Sequence, residues 1–196
     1  MDGDRNVAAA VTIWFDPVGP FTWNTARWLK SVADDGDVTV DWRLMSLAVL
    51  NEGQEQSPQQ QEHMRESRQI GRLMAAIGEQ HGDVVAAYFA FGERFFDGAN
   101  DISGPLVKEV CAAASSDVAD AVLSDEAYDQ IVRASHESGQ EALGEEGGSP
   151  IVRINDRTFF GPVLTDPPAP AQARPLLDAF ATLAAVPQFS QLKRPR

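Results

Sequence analysis

The chain has 196 residues, 16 Lys and Arg against 29 Asp and Glu for a formal net charge of −13, and a single cysteine. One thiol closes no intramolecular disulfide and makes no dithiol redox centre, and zinc sites built from two or more cysteines are excluded with it. The pI of about 4.5 argues against nucleic acid, because phosphate binding needs clustered cations.

In chain order, Ala8 to Phe15 ends in a run of β-formers and predicts a buried strand, broken by Asp16-Pro17-Val18-Gly19-Pro20. Phe21, Trp28, Leu29 and Val32 then mark one helical face, ended by Asp34-Asp35-Gly36-Asp37. Val38 to Leu44 alternates as a second strand, so the chain opens as a βαβ unit. Ser57-Pro58-Gln59-Gln60 is a capping signature that starts a long helix, with His81-Gly82 as its stop. Asp83 to Phe96 predicts an aromatic-rich helix, and further helical pieces are expected near Pro105–Ala114, Asp117–Leu123 and Glu126–Leu143. Pro150 to Asn155 and Arg157 to Phe160 flank the turn Asn155-Asp156 as a hairpin. After a Pro-rich connection at Pro167 to Pro170, a last helix runs from Arg174 to Val186. The expected architecture is one α/β domain, with residues 8–50 and 149–190 as its core and about 51–143 as a helical insertion.

No stretch approaches the roughly 20 apolar residues of a membrane span. The acidic N-terminus Met1-Asp2-Gly3-Asp4-Arg5 is unlike a signal peptide, so a cytoplasmic protein is expected. The basic run Lys193-Arg194-Pro195-Arg196 reads as a solvated tail. Glu141 to Glu146 lacks the spacing of a calcium loop, and no phosphate-binding glycine fingerprint follows a strand. No metal site is therefore expected. Cys111, in a helical stretch of the insertion, reads as a buried, inert thiol. His81 suits a helix C-terminus and His63 reads as surface.

The order βαβ, helices, ββα, the proline-containing turn before the first helix, and Ser149-Pro150 entering the third strand resemble the thioredoxin fold. The helical insertion resembles its DsbA branch. Several stretches look closest to the mycothiol-dependent nitroreductases of that branch: Trp14-Phe15-Asp16-Pro17, Pro20-Phe21, Trp23, Arg27-Trp28, Met45 to Asn51, Glu79-Gln80-His81-Gly82, Ser135-His136, Phe159 to Leu164 and Leu192-Lys193-Arg194. They span nearly the whole chain. The resemblance implies Cys-Pro-x-Cys at the first helix, where this chain has Gly19-Pro20-Phe21-Thr22. Neither residue supplies the thiolate that mixed-disulfide chemistry requires, so dithiol oxidoreductase activity is excluded. The resemblance also implies a cis Pro150 whose preceding residue, Ser149, offers backbone groups to a ligand.

Two functions follow as expectations. The first is an enzyme that keeps the pocket and acts on a small hydrophobic or aromatic molecule by isomerisation, cyclisation or transfer. It would use the helix N-terminus with Thr22, His136 and Asp16 as catalytic candidates. Pro17, Gly19, Pro20, Phe21, Trp23, Trp28, Asn51, Ser149, Pro150 and Phe160 would line the ligand. Kappa-class glutathione transferases and hydroxychromene carboxylate isomerases, relatives in fold, make a low-molecular-weight thiol (mycothiol or glutathione) a candidate co-substrate. The second function is a non-catalytic binding protein. Bland readings stand beside each candidate: Thr22 as a helix cap, Asp16 as a turn residue accepting backbone N–H groups, His136 as structural, and most aromatics as core. An exposed aromatic edge is compatible with a homodimer.

Overall fold

The computed structural model describes residues 9–36, 38–98 and 101–195; Ala8 and the charged N-terminal residues lie outside these. β1 (Ala9–Phe15), α1 (Pro20–Asp34) and β2 (Val38–Leu44) form the βαβ unit, with β1 and β2 parallel from Ala9–Val38 to Phe15–Leu44. Between β2 and β3 (Ile151–Ile154) come α2 (Leu47–Leu50), α3 (Pro58–Glu79), α4 (Val84–Phe96), α5 (Gly104–Ala113) and α6 (Asp129–Leu143). β4 (Arg157–Phe160) and α7 (Pro170–Ala184) complete the chain. The sheet order is β2-β1-β3-β4, with β3 antiparallel to both neighbours. This is a mixed α/β, thioredoxin-like arrangement. Among the described residues no helix is long and apolar enough to cross a membrane.

The period of two along β1 sorts its side chains to two faces. Val11, Ile13 and Phe15 enter the main core with Trp23, Trp28 and Leu29 of α1, Ile70 and Leu73 of α3, and Tyr88 and Phe91 of α4. Phe15 and Tyr88 stack with ring centroids 4.2 Å apart. Each such side chain contributes about 1.5–3 kcal/mol by leaving water. Trp14 points the other way, onto Met45 and Ile151. Its indole donates to Ser138 Oγ at 3.0 Å, and Gly139 of α6 makes room for the ring: a Cβ there would lie 2.9 Å from it.

The long helix starts as the capping signature dictates. Ser57 Oγ accepts from Gln60 N–H, and Gln60 Oε1 accepts from Ser57 N–H. It stops at Glu79, after which His81 takes a left-handed φ of 59°. Three expectations need correction. The piece expected at Asp117–Leu123 is a short 3-10 turn at Asp120–Ser124. A second such turn, Glu126–Tyr128, precedes α6, which begins at Asp129 rather than Glu126. α7 begins at Pro170, four residues before Arg174, because proline fits the first helical position, where no N–H is needed.

Candidate active site

The turn between β1 and α1 is anchored from inside. Asp16 is fully buried. Its Oδ1 accepts from Val18 N–H at 2.9 Å, while Oδ2 accepts from Leu47 N–H at 2.6 Å and Ser67 Oγ at 2.5 Å. Burial raises the carboxyl's pKa, and the hydrogen bonds from Ser67, Leu47 and Val18 oppose that rise. Asp16 thus fastens the first turn of α2 and the middle of α3 to the start of α1. That is the turn role weighed for it, extended to two more elements.

α1 begins at N-cap Gly19, with Pro20 in the first turn and no side chain capping the helix. Beside this start the Ser149–Pro150 peptide is cis. Thr22 Oγ1 donates to Ser149 Oγ at 2.7 Å, and the same oxygen accepts Asp16 N–H at 2.8 Å. Thr22 is fully buried, so its hydroxyl holds the helix start against the Pro150 loop rather than facing solvent. A Cβ on Gly19 would lie 2.7 Å from Thr22 Oγ1. The hydroxyl therefore crowds the place of a position-19 side chain.

His136 of α6 is buried, and its Nδ1 accepts from Ser46 N–H at 3.4 Å. Burial lowers its pKa and favours the neutral ring. Asp16 and His136 therefore take up successive backbone N–H groups, Leu47 and Ser46, at the start of α2. Asn51 closes that helix, its Nδ2 donating to Leu47 O at 2.8 Å.

Of the aromatic ligand candidates, Trp23 and Trp28 need correction. They are 3% and 1% exposed, and Trp28 Nε1 donates to Ala173 O at 2.8 Å. Both face the core because α1 packs that stripe against the sheet, α4 and α7. Phe21 is half-buried at the helix start, and Phe160, at the end of β4, is 48% exposed. Pro17 is buried and Pro20 exposed. Cys111 is held inside the helical layer, its thiol donating to Val118 O, and burial raises its pKa.

One feature escaped the sequence reading: the Ser149 hydroxyl, which ties residues 16 and 22 together across more than 120 positions. His63, read as a surface residue, is partly exposed on α3. It lines an open groove of about 430 Å³ with Gln59, Gln60, Glu62 and Glu66, all from the first turns of α3. Ser67, one turn further along α3, bonds Asp16. The 16–19 turn thus lies between the Pro150 loop on one side and α3 on the other. A helix-period pattern starting from Ser67 could have placed His63 on the same face, had the Ser67–Asp16 contact been known.

Comparison with known proteins agrees with this fold. A DsbA-type structure from Streptomyces coelicolor, described as a probable oxidoreductase, superposes with a TM-score of 0.59 at 21% identity, covering 95% of this chain and 94% of the other. A 2-hydroxychromene-2-carboxylate isomerase superposes at 0.57 with 17% identity over 89% and 95% of the two chains. A protein of Mycobacterium tuberculosis named Uncharacterized protein Rv2286c is 26% identical over 190 residues, 95% of this chain and 82% of its own length. Residues 18–194 match the Rv2466c-like family, described as mycothiol-dependent nitroreductase Rv2466c. With nearly the whole chain matched and a DsbA-like thioredoxin fold around it, the protein belongs to the Rv2466c-like family.

Proposed function

We propose that this chain is a family member that has given up dithiol chemistry and acts on a small hydrophobic or aromatic molecule at the start of α1, by isomerase-, cyclase- or transferase-type chemistry. The observation that carries the reading is Gly19. No sulfur stands there, and Thr22 Oγ1 lies 2.7 Å from where its Cβ would be. The lone thiol, Cys111, belongs to α5. A fifteen-residue helix with no side-chain cap offers partial positive charge to a developing oxyanion. Phe21, half-buried in its first turn, supplies apolar surface there. Thr22 acts as a positioning residue, since its buried hydroxyl fixes the helix start against Ser149. The fold neighbour named an isomerase supports non-redox chemistry on this scaffold.

Mycothiol, which the family's description carries, fits only without a mixed disulfide, because position 19 has no side chain. The backbone of Ser149, before the first ladder pair at Ile151, would hold a thiol co-substrate, mycothiol or glutathione, non-covalently. The test is a substrate panel assayed with and without mycothiol. We expect turnover of small carbonyl or aromatic compounds and no mycothiol-dependent reduction of nitroaromatics; such reduction would overturn the reading. Alkylating Cys111 leaves the activity intact.

A second reading, non-catalytic binding, is favoured by one observation: the Asp16 carboxylate, the Thr22 hydroxyl and Nδ1 of His136 are all engaged inside the protein. Saturable ligand binding without turnover across the same panel would select it.

A further inference from the structure

We propose that residues 46–51 form a proton-released latch: protonation of His136 frees the start of α2 from α6 and opens the cavity behind it. The device does not depend on which reaction the α1 start performs.

Four consecutive backbone N–H groups end on four side chains. Ser46 donates to His136 Nδ1 of α6 at 3.4 Å and Leu47 to Asp16 Oδ2 of the β1–α1 turn at 2.6 Å. Ala48 donates to Ser67 Oγ of α3 at 3.2 Å and Val49 to Ser46 Oγ at 3.2 Å. α2 is a single turn of four residues in which only Ala48 is buried. So short a helix does not hold by itself, and these tethers decide whether it stays docked. Its far end adds only the Arg133–Glu52 pair, which is open to solvent and holds weakly. A cavity of about 30 Å³ lies behind the segment, between Ser46, Val49 and Glu52 on one side and Arg68, Val132 and Arg133 on the other.

Of the four acceptors only His136 reverses its role on protonation. Neutral Nδ1 accepts, whereas both nitrogens of the imidazolium donate, so Nδ1–H would meet the Ser46 N–H head-on. A protonated Asp16 still has a carbonyl oxygen for Leu47, and the serine hydroxyls gain no proton. The closed ring is buried, which lowers its pKa from the ordinary 6.5. Opening hydrates the ring and restores its affinity for the proton. The charges acting on it are Arg133 and Glu137 of α6, Glu146 of the following loop and Glu52 beyond α2. Arg133 opposes the imidazolium and the three carboxylates favour it. Asp16 faces the same segment from the turn. Because opening takes up one proton, the open fraction rises about tenfold for each pH unit below 6.5, until the closed ring itself titrates.

The test is amide hydrogen exchange followed by NMR across a pH series, each rate divided by its intrinsic rate at that pH. The His136 ring is titrated in the same sample. Protection of Ser46 should fall about tenfold per unit below pH 6.5 and level off at the ring's own midpoint, with Leu47 and Ala48 following. Ile13 of β1 and Leu73 of α3 should keep their protection. His136→Asn carries an oxygen near the place of Nδ1 and does not titrate, so Ser46 should stay protected throughout. If that variant does not fold, the wild-type curve still decides, because its two break points are set by one ring. Constant protection of Ser46 while His136 titrates would overturn the proposal. So would the same fall in His136→Asn, which would assign the effect to Asp16. Loss of protection at Ile13 in the same step would also overturn it, since the whole fold and not the latch would then be opening.

Discussion

Thr22 Oγ1 lies 2.7 Å from Ser149 Oγ, joining the first turn of α1 to the residue that precedes Pro150. Because Ser149 also accepts the N–H of Asp16, one hydroxyl holds two donors that neighbouring atoms shield from water. The two partners should therefore respond unequally to substitution. Ser149→Ala strands both donors, at about 1–3 kcal/mol each for an unsatisfied group. Thr22→Val removes a donor and leaves Ser149 its bond to Asp16, which costs only about 1 kcal/mol. Urea denaturation of the two variants checks the order, and a larger loss for Thr22→Val would contradict it.

Asp16 gives the protein a pH dependence whose sign is fixed by burial. Its folded pKa is raised above the ordinary 3.8. Between the unfolded and folded values the native state holds more protons than the unfolded chain, so this group's contribution to stability falls as pH rises through that window. Asp16→Asn removes the titration. It also points an amide N–H₂ at donors, since Val18, Leu47 and Ser67 all donate to the carboxylate. The variant should be less stable near neutral pH by about 1–3 kcal/mol. The gap between wild type and variant should widen as pH is lowered from neutral, because wild type gains stability there and the variant does not. Chemical denaturation across a pH series measures this, and a gap that narrows would show that the carboxylate's pKa is depressed instead.

Gly139→Ala sets two effects against each other. Alanine favours the helix by about 1 kcal/mol over glycine. A Cβ at this point in α6, however, would stand 2.9 Å from the Trp14 ring, and that indole is buried and bonded to Ser138. Overpacking a rigid ring costs about 1–3 kcal/mol, so the net effect should be destabilising. The melting temperature should fall, and the near-ultraviolet signal of the tryptophans should change. A rise in melting temperature would mean that α6 shifts freely.

The parts legible in the sequence were those written locally. The alternation of Val38 to Leu44, the Ser57–Gln60 box and the Asn155-Asp156 turn, where Asn155 takes φ 52°, each depend on neighbours a few residues apart. The four-residue α2 was missed although Ser46 caps it locally, because it is a single turn whose first N–H goes to Asp16, 31 positions away. The bonds inside the site failed to read for the same reason: Thr22 and Ser149 are 127 positions apart and Asp16 and Ser67 51 apart, although Asp16, Thr22 and Ser149 were each named as candidates. Trp28 sits on the helical face read with Phe21, Leu29 and Val32, so its spacing already fitted the core, whereas Trp23 lies off that face and its packing on Tyr88 and Phe96 of α4 is not written locally.

The double variant Gly19→Cys/Thr22→Cys asks whether the scaffold still supports what the sequence has lost. A side chain at position 19 alone meets Thr22 Oγ1 at 2.7 Å, so Gly19→Cys by itself must push that hydroxyl off Ser149. Replacing Thr22 as well removes the oxygen and places two thiols at the start of a fifteen-residue helix with no side-chain cap. A thiolate there is stabilised by the helix N-terminus, which lowers a cysteine's pKa below its usual value of about 8.5. The double variant should form a 19–22 disulfide in oxidised glutathione while Cys111, buried and bonded to Val118 O, stays reduced. It should also exchange with mycothiol disulfide, and the parent should not. Ultraviolet titration of the thiolate and mass spectrometry after alkylation read both outcomes. A 19–22 pair that never oxidises would mean that the surroundings of the helix start, and not the two side chains alone, have moved away from dithiol chemistry.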